Sequence, residues 1–245
     1  PPVIVLIDYN EANATHQILS TPEECIPYLD SESVSWVDVQ GLGSEDILHR
    51  LGQVFNLHPL VLEDIVNVPQ RPKVEDDYDD HLVIISRMVI PKHGGGFYSE
   101  QVSFILGKHY LLTVQEEPEH DCFEPVRLRI RHNKGSLRKL GADYLTYTLL
   151  DAIIDGFFPV LEAYGEQIED LEDEVITKPT RKTLNKIYRV RRELLSLRRA
   201  IWPQRDAIAM LIRDDNDSLI SDRVQVYLRD CYDHAVQILD MVETY

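Results

Sequence analysis

The sequence predicts an α+β fold with α/β/α layering: a mixed sheet covered by helices, followed by long antiparallel helices. Short β-branched and aromatic segments, separated by turn residues, fill residues 1–140. From Gly141 onward, apolar residues recur in steps of three and four over long stretches. Two of those stretches carry opposite charge and complement each other as a helical hairpin. The expected organisation is a mixed α/β domain over 1–140 and a long-helix region over 141–245.

Val3 to Ile7, Val34 to Val39, Leu82 to Ile90, Val102 to Leu106 and Tyr110 to Val114 are the strand candidates. Gly94-Gly95-Gly96 breaks the chain between two of them as a hairpin connection does, and Gly107-Lys108-His109 makes the next turn of an antiparallel meander. Thr21-Pro22-Glu23-Glu24 has the form of a capping box with proline at the first helical position. Ser44 caps a helix whose apolar face is Ile47, Leu48, Leu51, Val54 and Phe55. Another helix opens at Pro59, where the missing N–H costs nothing.

In the second half, Phe157, Leu161, Tyr164, Ile168, Leu171 and Val175 form a packed seam. Ile187, Val190, Leu194, Leu197 and Ile201 repeat it after the break at Lys178-Pro179-Thr180. Residues 155–174 carry eight acids and no base, and residues 178–199 carry nine bases and one acid. The acidic arm is the natural partner of the basic one. A third seam, Val224, Leu228, Cys231, Ala235, Ile238, Val242 and Tyr245, reaches the last residue without a stop signal, the pattern of a helix that continues.

Apolar residues make up 44% of the chain and charged residues 27%, both ordinary for a globular protein, but a net charge of −17 is not. Phosphate backbones require a basic surface, so nucleic-acid binding is disfavoured. An acidic surface attracts cations and also keeps a protein soluble. Cys25, Cys122 and Cys231 are odd in number and far apart, which fits reduced thiols in a cytosolic compartment. No unbroken apolar run approaches the ~18 residues of a membrane helix. GxSxG, P-loop and GxGxxG patterns are missing, so no catalytic residue is nominated.

Two acidic patterns remain. Glu63 and Asp64 are adjacent in an otherwise apolar helix, pointing about 100° apart, so they suit two sites better than one. They also fit a solvated helix edge. Asp230, Asp233 and His234 fall at i, i+3 and i+4 on one helix face. Asp151 is isolated among Leu149, Leu150, Ile153 and Ile154. Carboxylates with one histidine and no useful cysteine indicate a hard divalent cation, magnesium before zinc.

The chain also contains Arg71-Pro72-Lys73-Val74-Glu75, Phe123-Glu124-Pro125-Val126-Arg127 and Ile201-Trp202-Pro203. Ala142-Asp143-Tyr144-Leu145 precedes Asp151-Ala152, and Arg229-Asp230-Cys231-Tyr232-Asp233-His234 comes late. In this order and spacing, these segments resemble the CorA magnesium channel family over nearly the whole chain, less clearly before Val34. The family's membrane segments and its Gly-Met-Asn pore signature are not in this sequence. The resemblance therefore implies the N-terminal cytosolic domain of a channel, on the cytoplasmic side of the cell inner membrane. It implies a homopentamer in the full-length protein, membrane contact only through further C-terminal segments, and a third seam that begins the stalk helix.

The resemblance also assigns residues. Asp64 matches a carboxylate that binds regulatory Mg2+ between subunits, with Asp230 facing it from the neighbour. Glu63, Asp151, Asp230 and His234 match the family's second such site. Mg2+ bridging adjacent subunits would favour the closed state, and its loss would favour opening. Imidazole is a poor magnesium ligand, so His234 would act through a water or favour Co2+ or another divalent cation, and a structural histidine fits the position equally well. Asp233 is expected to be a surface residue. Three other readings stand beside this one: the cytosolic domain of a zinc or cobalt transporter of the same superfamily, a soluble metal-dependent hydrolase using the carboxylates, and a helical scaffold with no metal role.

Overall fold

The computed structural model describes residues 1–213 and 219–245. Its strands are β1 (Val3–Tyr9), β2 (Ala14–Leu19), β3 (Val34–Gln40), β4 (Lys73–Glu75), β5 (Leu82–Pro91), β6 (Phe97–Leu106) and β7 (Tyr110–Gln115). They form one seven-stranded sheet in the order β2-β1-β3-β7-β6-β5-β4. Every neighbouring pair is antiparallel except β3 and β7, which run parallel in the middle. Five strands lie where the β-branched segments predict them, and β2 and β4 are additions. Both are edge strands: β2 is exposed from Thr15 to Ile18, and β4 has only three residues. Neither needs the alternating apolar pattern that betrays an internal strand. Gly94, Gly95 and Gly96 all adopt positive φ in the β5–β6 turn, which explains the glycine run.

The helices are α1 (Glu45–Val54), α2 (Pro59–Val66), α3 (Glu124–Arg131), α4 (Ala142–Asp155), α5 (Phe157–Thr177), α6 (Arg181–Arg213) and α7 (Asp222–Thr244). The pleat sends alternate strand residues to opposite faces. Val5, Ile7, Trp36, Phe104 and Leu111 enter the core under α3 to α7. Ile4, Leu6, Val37, Ile105 and Leu112 enter the core under α1 and α2. The result is the expected helix–sheet–helix layering. Residues 142–177 are long and apolar enough in average composition to cross a bilayer. Here that apolarity is used in the interior, where Leu145, Leu149, Ile153, Phe157 and Leu161 are packed against the sheet and its neighbours.

A polar knot lies beneath the β3–β7 pair. Asp38 is completely buried. It accepts hydrogen bonds from Thr113 Oγ1 at 2.7 Å, Gln115 Nε2 at 2.9 Å and Arg127 Nη2 at 2.7 Å. Arg127 also pairs with Asp121 and Glu124. Burial alone would lower the Arg127 pKa, but the carboxylates of Asp38 and Asp121 hold it above its ordinary value. The Phe123-to-Arg127 segment is thus a structural clamp, with Phe123 edge-on to Trp36 at 6.0 Å.

The long helices form the predicted hairpin through residues 178–180. Its pairing is antiparallel, with Lys186 Nζ on Glu174 Oε2 at 2.8 Å and the Tyr164 hydroxyl on Glu193 at 2.6 Å. Among the described residues, only that Lys186–Glu174 ion pair crosses between the arms. The seams explain why. Phe157, Leu161, Leu197 and Ile201 are fully buried near the sheet, whereas Val175 and Ile187 near the tip are exposed. Between the arms lies an apolar groove lined by Leu171 of α5 and Val190 and Leu194 of α6, with Tyr245 contributing from the end of α7. Nearer the sheet, Gln204 fastens α6 to β5. Its Oε1 accepts from Ser86 Oγ at 2.5 Å and Arg87 N at 3.2 Å, and its Nε2 donates to Arg87 O at 2.8 Å.

Arg127→Met leaves Asp38 ionised without its counter-charge in the core. Urea denaturation is expected to show a loss of about 3–5 kcal/mol, against less than about 0.5 kcal/mol for the exposed Arg131→Met.

Candidate metal centre

The packing of α7 on α4 builds the strongest cluster of ligating groups among the described residues. Tyr144, Tyr147 and Tyr227 meet at ring separations of 5.3–5.5 Å. Cys231 and Ala235 are fully buried in the core that α7 shares with α4, which leaves His234 directed at the acidic end of α4. Asp143 ties the helix starts together by accepting from Ser221 N at 2.9 Å.

Asp151 and Asp155 are one turn apart on α4 and face His234 together. His234 Nδ1 lies 3.9 Å from Asp151 Oδ1 and 3.7 Å from Asp155 Oδ1. Its Nε2 lies 4.0 Å from Asp230 Oδ2. These separations are too long for hydrogen bonds. Asp151 Oδ1 and His234 Nδ1 are buried and have no hydrogen-bond partner. Ligating atoms of Asp151, Asp155 and His234 all fall within 4.8 Å of one another. Orphaned polar atoms of this kind need a water or an ion between them.

The electrostatics agree. Burial pushes the Asp151 carboxyl up to about 6, with Asp155 and Asp230 adding repulsion and His234 opposing it. Asp155 is also raised, first by burial. A divalent cation would relieve the repulsion among these acids. The donor set of carboxylate oxygens and one imidazole nitrogen fits such an ion, and the nitrogen tilts it towards cobalt, nickel or zinc over magnesium.

The other predicted ligands lie elsewhere. Glu63 and Asp64 sit on α2, whose Val61 and Ile65 belong to the core on the opposite face of the sheet. Glu63 is exposed. Asp64 Oδ2 is paired with Lys73 Nζ at 2.5 Å, and Lys73 also reaches Glu75 Oε1 at 2.6 Å. Burial pulls the Lys73 pKa down, but its hydrogen bonds to Asp64 and Glu75 leave it raised overall. Within one chain, then, Asp151, Asp230 and His234 come together, whereas Glu63 and Asp64 do not join them. Asp233 is exposed, as expected. Asp155 was missed. Its spacing of four from Asp151 was the available signal, masked by its place at the head of the acidic arm.

Residues 31–245 match the family described as CorA-like Mg2+ transporter protein. The chain belongs to that family. It is 42% identical over 223 residues to the cobalt/magnesium transport protein CorA of Thermotoga maritima, covering 91% of this chain but only 63% of that protein. The putative metal ion transporter YfjQ of Bacillus subtilis is 26% identical over 240 residues, covering 98% of this chain and 72% of that one. The soluble domain of CorA from Methanocaldococcus jannaschii superposes with a TM-score of 0.80 at 19% identity, over 99% of this chain and 91% of that domain. The ZntB cytoplasmic domain from Vibrio parahaemolyticus gives 0.70 at 19% identity, over 99% and 92%. These two structures establish the shared fold. Membership of a transporter family leaves the hydrolase reading without support.

The folded state keeps the Asp151 proton between about pH 4 and pH 6, where the unfolded chain has lost it, so stability contributed by this group falls as pH rises through that window. Asp151→Asn is expected to raise the metal-free melting temperature at pH 7.5 by about 2–4 °C. The same change should weaken Co2+ binding by about tenfold or more in calorimetry. A lowered metal-free melting temperature would instead mean that the carboxylate makes a stabilising contact.

Proposed function

We propose that this chain is the cytosolic, metal-sensing part of a divalent-cation channel that works as a homopentamer at the cytoplasmic side of the cell inner membrane. In this reading the sheet-bearing domain (1–140) contributes Glu63 and Asp64 to ion sensing, and the long-helix region (141–245) contributes Asp151, Asp155, Asp230 and His234 and passes the bound state towards the membrane. The observation that carries the reading is the orphaned pair, Asp151 Oδ1 and His234 Nδ1, set among further acids in a CorA-family chain.

The mechanism is electrostatic. Asp64 and Asp230 lie on helices that belong to opposite faces of one sheet. A second copy is the natural way to set them against each other, so the proposed Mg2+ between them would act at a subunit boundary. Asp151, Asp230 and His234 would hold a second ion with Glu63, and Asp155 joins that set. When the regulatory ion is bound, its charge compensates the facing carboxylates and the ring stays closed. Two bare carboxylates about 5 Å apart repel by roughly 3 kcal/mol at an effective dielectric of about 20. Lys73 neutralises part of the Asp64 charge, so the repulsion available at that boundary is smaller than for two free acids. Repeated around a ring, a term of this size still shifts a closed–open population.

The imidazole in the donor set favours a second reading, in which the regulatory or transported ion is cobalt or zinc. Direct comparison of uptake for the three ions by the longer protein distinguishes the two.

Asp64→Ala and Asp230→Ala are each expected to reduce closure by cytosolic Mg2+ when currents are recorded from the full-length protein. Closure at unchanged Mg2+ concentration in both variants would remove the inter-subunit assignment.

A further inference from the structure

The sequence has 42 acidic and 25 basic residues, yet one cleft of about 720 Å3 is lined by four arginines and no carboxylate. It lies where the segment before β4 and the strands β5 and β6 meet α6, and Arg71, Arg87, Ser99, Arg198, Arg199 and Trp202 contribute to its wall. The Gln204 clamp fixes this arrangement, because it locks α6 in register at the backbone of Arg87 itself. Arginines from three separate segments therefore line one space.

Their charges are poorly matched inside the chain. Arg87 is half-buried, and its Nε donates to Ser99 Oγ at 2.9 Å. Among the described residues no carboxylate pairs with it. Burial draws its pKa down, and Glu116 offsets this only in part. Arg198 Nε is buried with no acceptor. Its Nη2 reaches Glu243 at 3.4 Å, and its guanidinium covers the Trp202 ring at 4.7 Å. Arg71 and Arg199 are exposed and have no ion pair among the described residues. Buried cations and donors without partners are costly, and an anion in the cleft would satisfy several at once.

We propose that this cleft binds a small phosphate-bearing anion. A planar carboxylate suits one guanidinium fork, whereas a tetrahedral phosphate presents oxygens in several directions, as convergent arginines require. The volume is that of a metabolite site and exceeds what one phosphate fills. Trp202, 42% exposed at the rim, offers an apolar surface to the rest of the ligand. Inorganic phosphate, pyrophosphate and nucleotides share the recognised group. The site is separate from the α4–α7 acids and does not depend on their role in metal sensing.

The chain contains its own reporter. Trp36 is fully buried and Trp202 is not, so an emission change on ligand addition reports on the cleft. Phosphate, pyrophosphate and ATP are each titrated into the protein without divalent cations, followed by Trp emission and calorimetry. Saturable binding is expected, weakened about tenfold by Arg87→Gln and by Arg199→Gln. Equal affinity for pyrophosphate and ATP identifies the phosphate group as sufficient. Tighter ATP binding that Trp202→Ala abolishes identifies a nucleotide. The exposed double variant R71Q/R199Q gives the decisive control, because neither side chain supports the fold. Failure of all three anions to saturate, or unchanged affinity in that double variant, overturns the proposal.

Discussion

A sheet buried on both faces is the constraint on which the other features depend. Once β3, β7, β6 and β5 are apolar on both sides, helices must cover each face, and the chain must divide its acidic helices between them. Helix α2 goes to one side with Glu63 and Asp64, and α4 and α7 go to the other with Asp151, Asp155, Asp230 and His234. The separation of the two acidic sets is thus a product of core formation. Under the proposed function, a sensor built from both sets would be incomplete in one copy and would be completed by assembly.

The centre at the α4–α7 seam shows how packing can store electrostatic stress. Apolar neighbours such as Cys231 and Ala235 hold the helices together whether or not the acids are compensated. The carboxylates consequently cannot escape one another by small shifts of either helix. Protonation of Asp151, or the arrival of a cation, becomes the means of relief. The same principle with opposite sign operates in the Asp38–Arg127 knot, where the countercharge is built in and the result is a fixed structural joint. One chain therefore contains a compensated buried charge at Asp38 and an uncompensated carboxylate at Asp151, and the second leaves room for a response to its surroundings.

The layering, the five internal strands and the helical hairpin were legible because burial imposes periodicity on the sequence. Strands β2 and β4 were not, since an edge strand needs neither apolar face nor length. At the centre, Asp230 and His234 were visible as a helical i, i+4 pair, and Asp151 stood out against its apolar neighbours. Asp155 was lost among eight acids of one arm, although its partner is across the seam on α7. Charge counting also suggested that the basic arm is neutralised by the acidic one. Instead one ion pair joins the arms among the described residues, an apolar groove lies between them, and Arg198 and Arg199 line the cleft beside β5 and β6. Composition records how much charge a helix carries, while the direction in which each charge points is set by tertiary packing.

The Gln204 clamp has a mechanical consequence. Helix α6 runs 33 residues and is fastened to β5 near its C-terminal third. The part from Arg181 to the clamp extends about 35 Å as a helix. A tilt of about 5° at that fulcrum moves the far end by about 3 Å, on the scale of side-chain contacts. Leu184, Ile187 and Tyr188 near that end are exposed, so it has few neighbours to resist. A tilt of that kind, too small to disturb the sheet, would be magnified at the hairpin tip, with α6 as a lever whose short arm lies in the core.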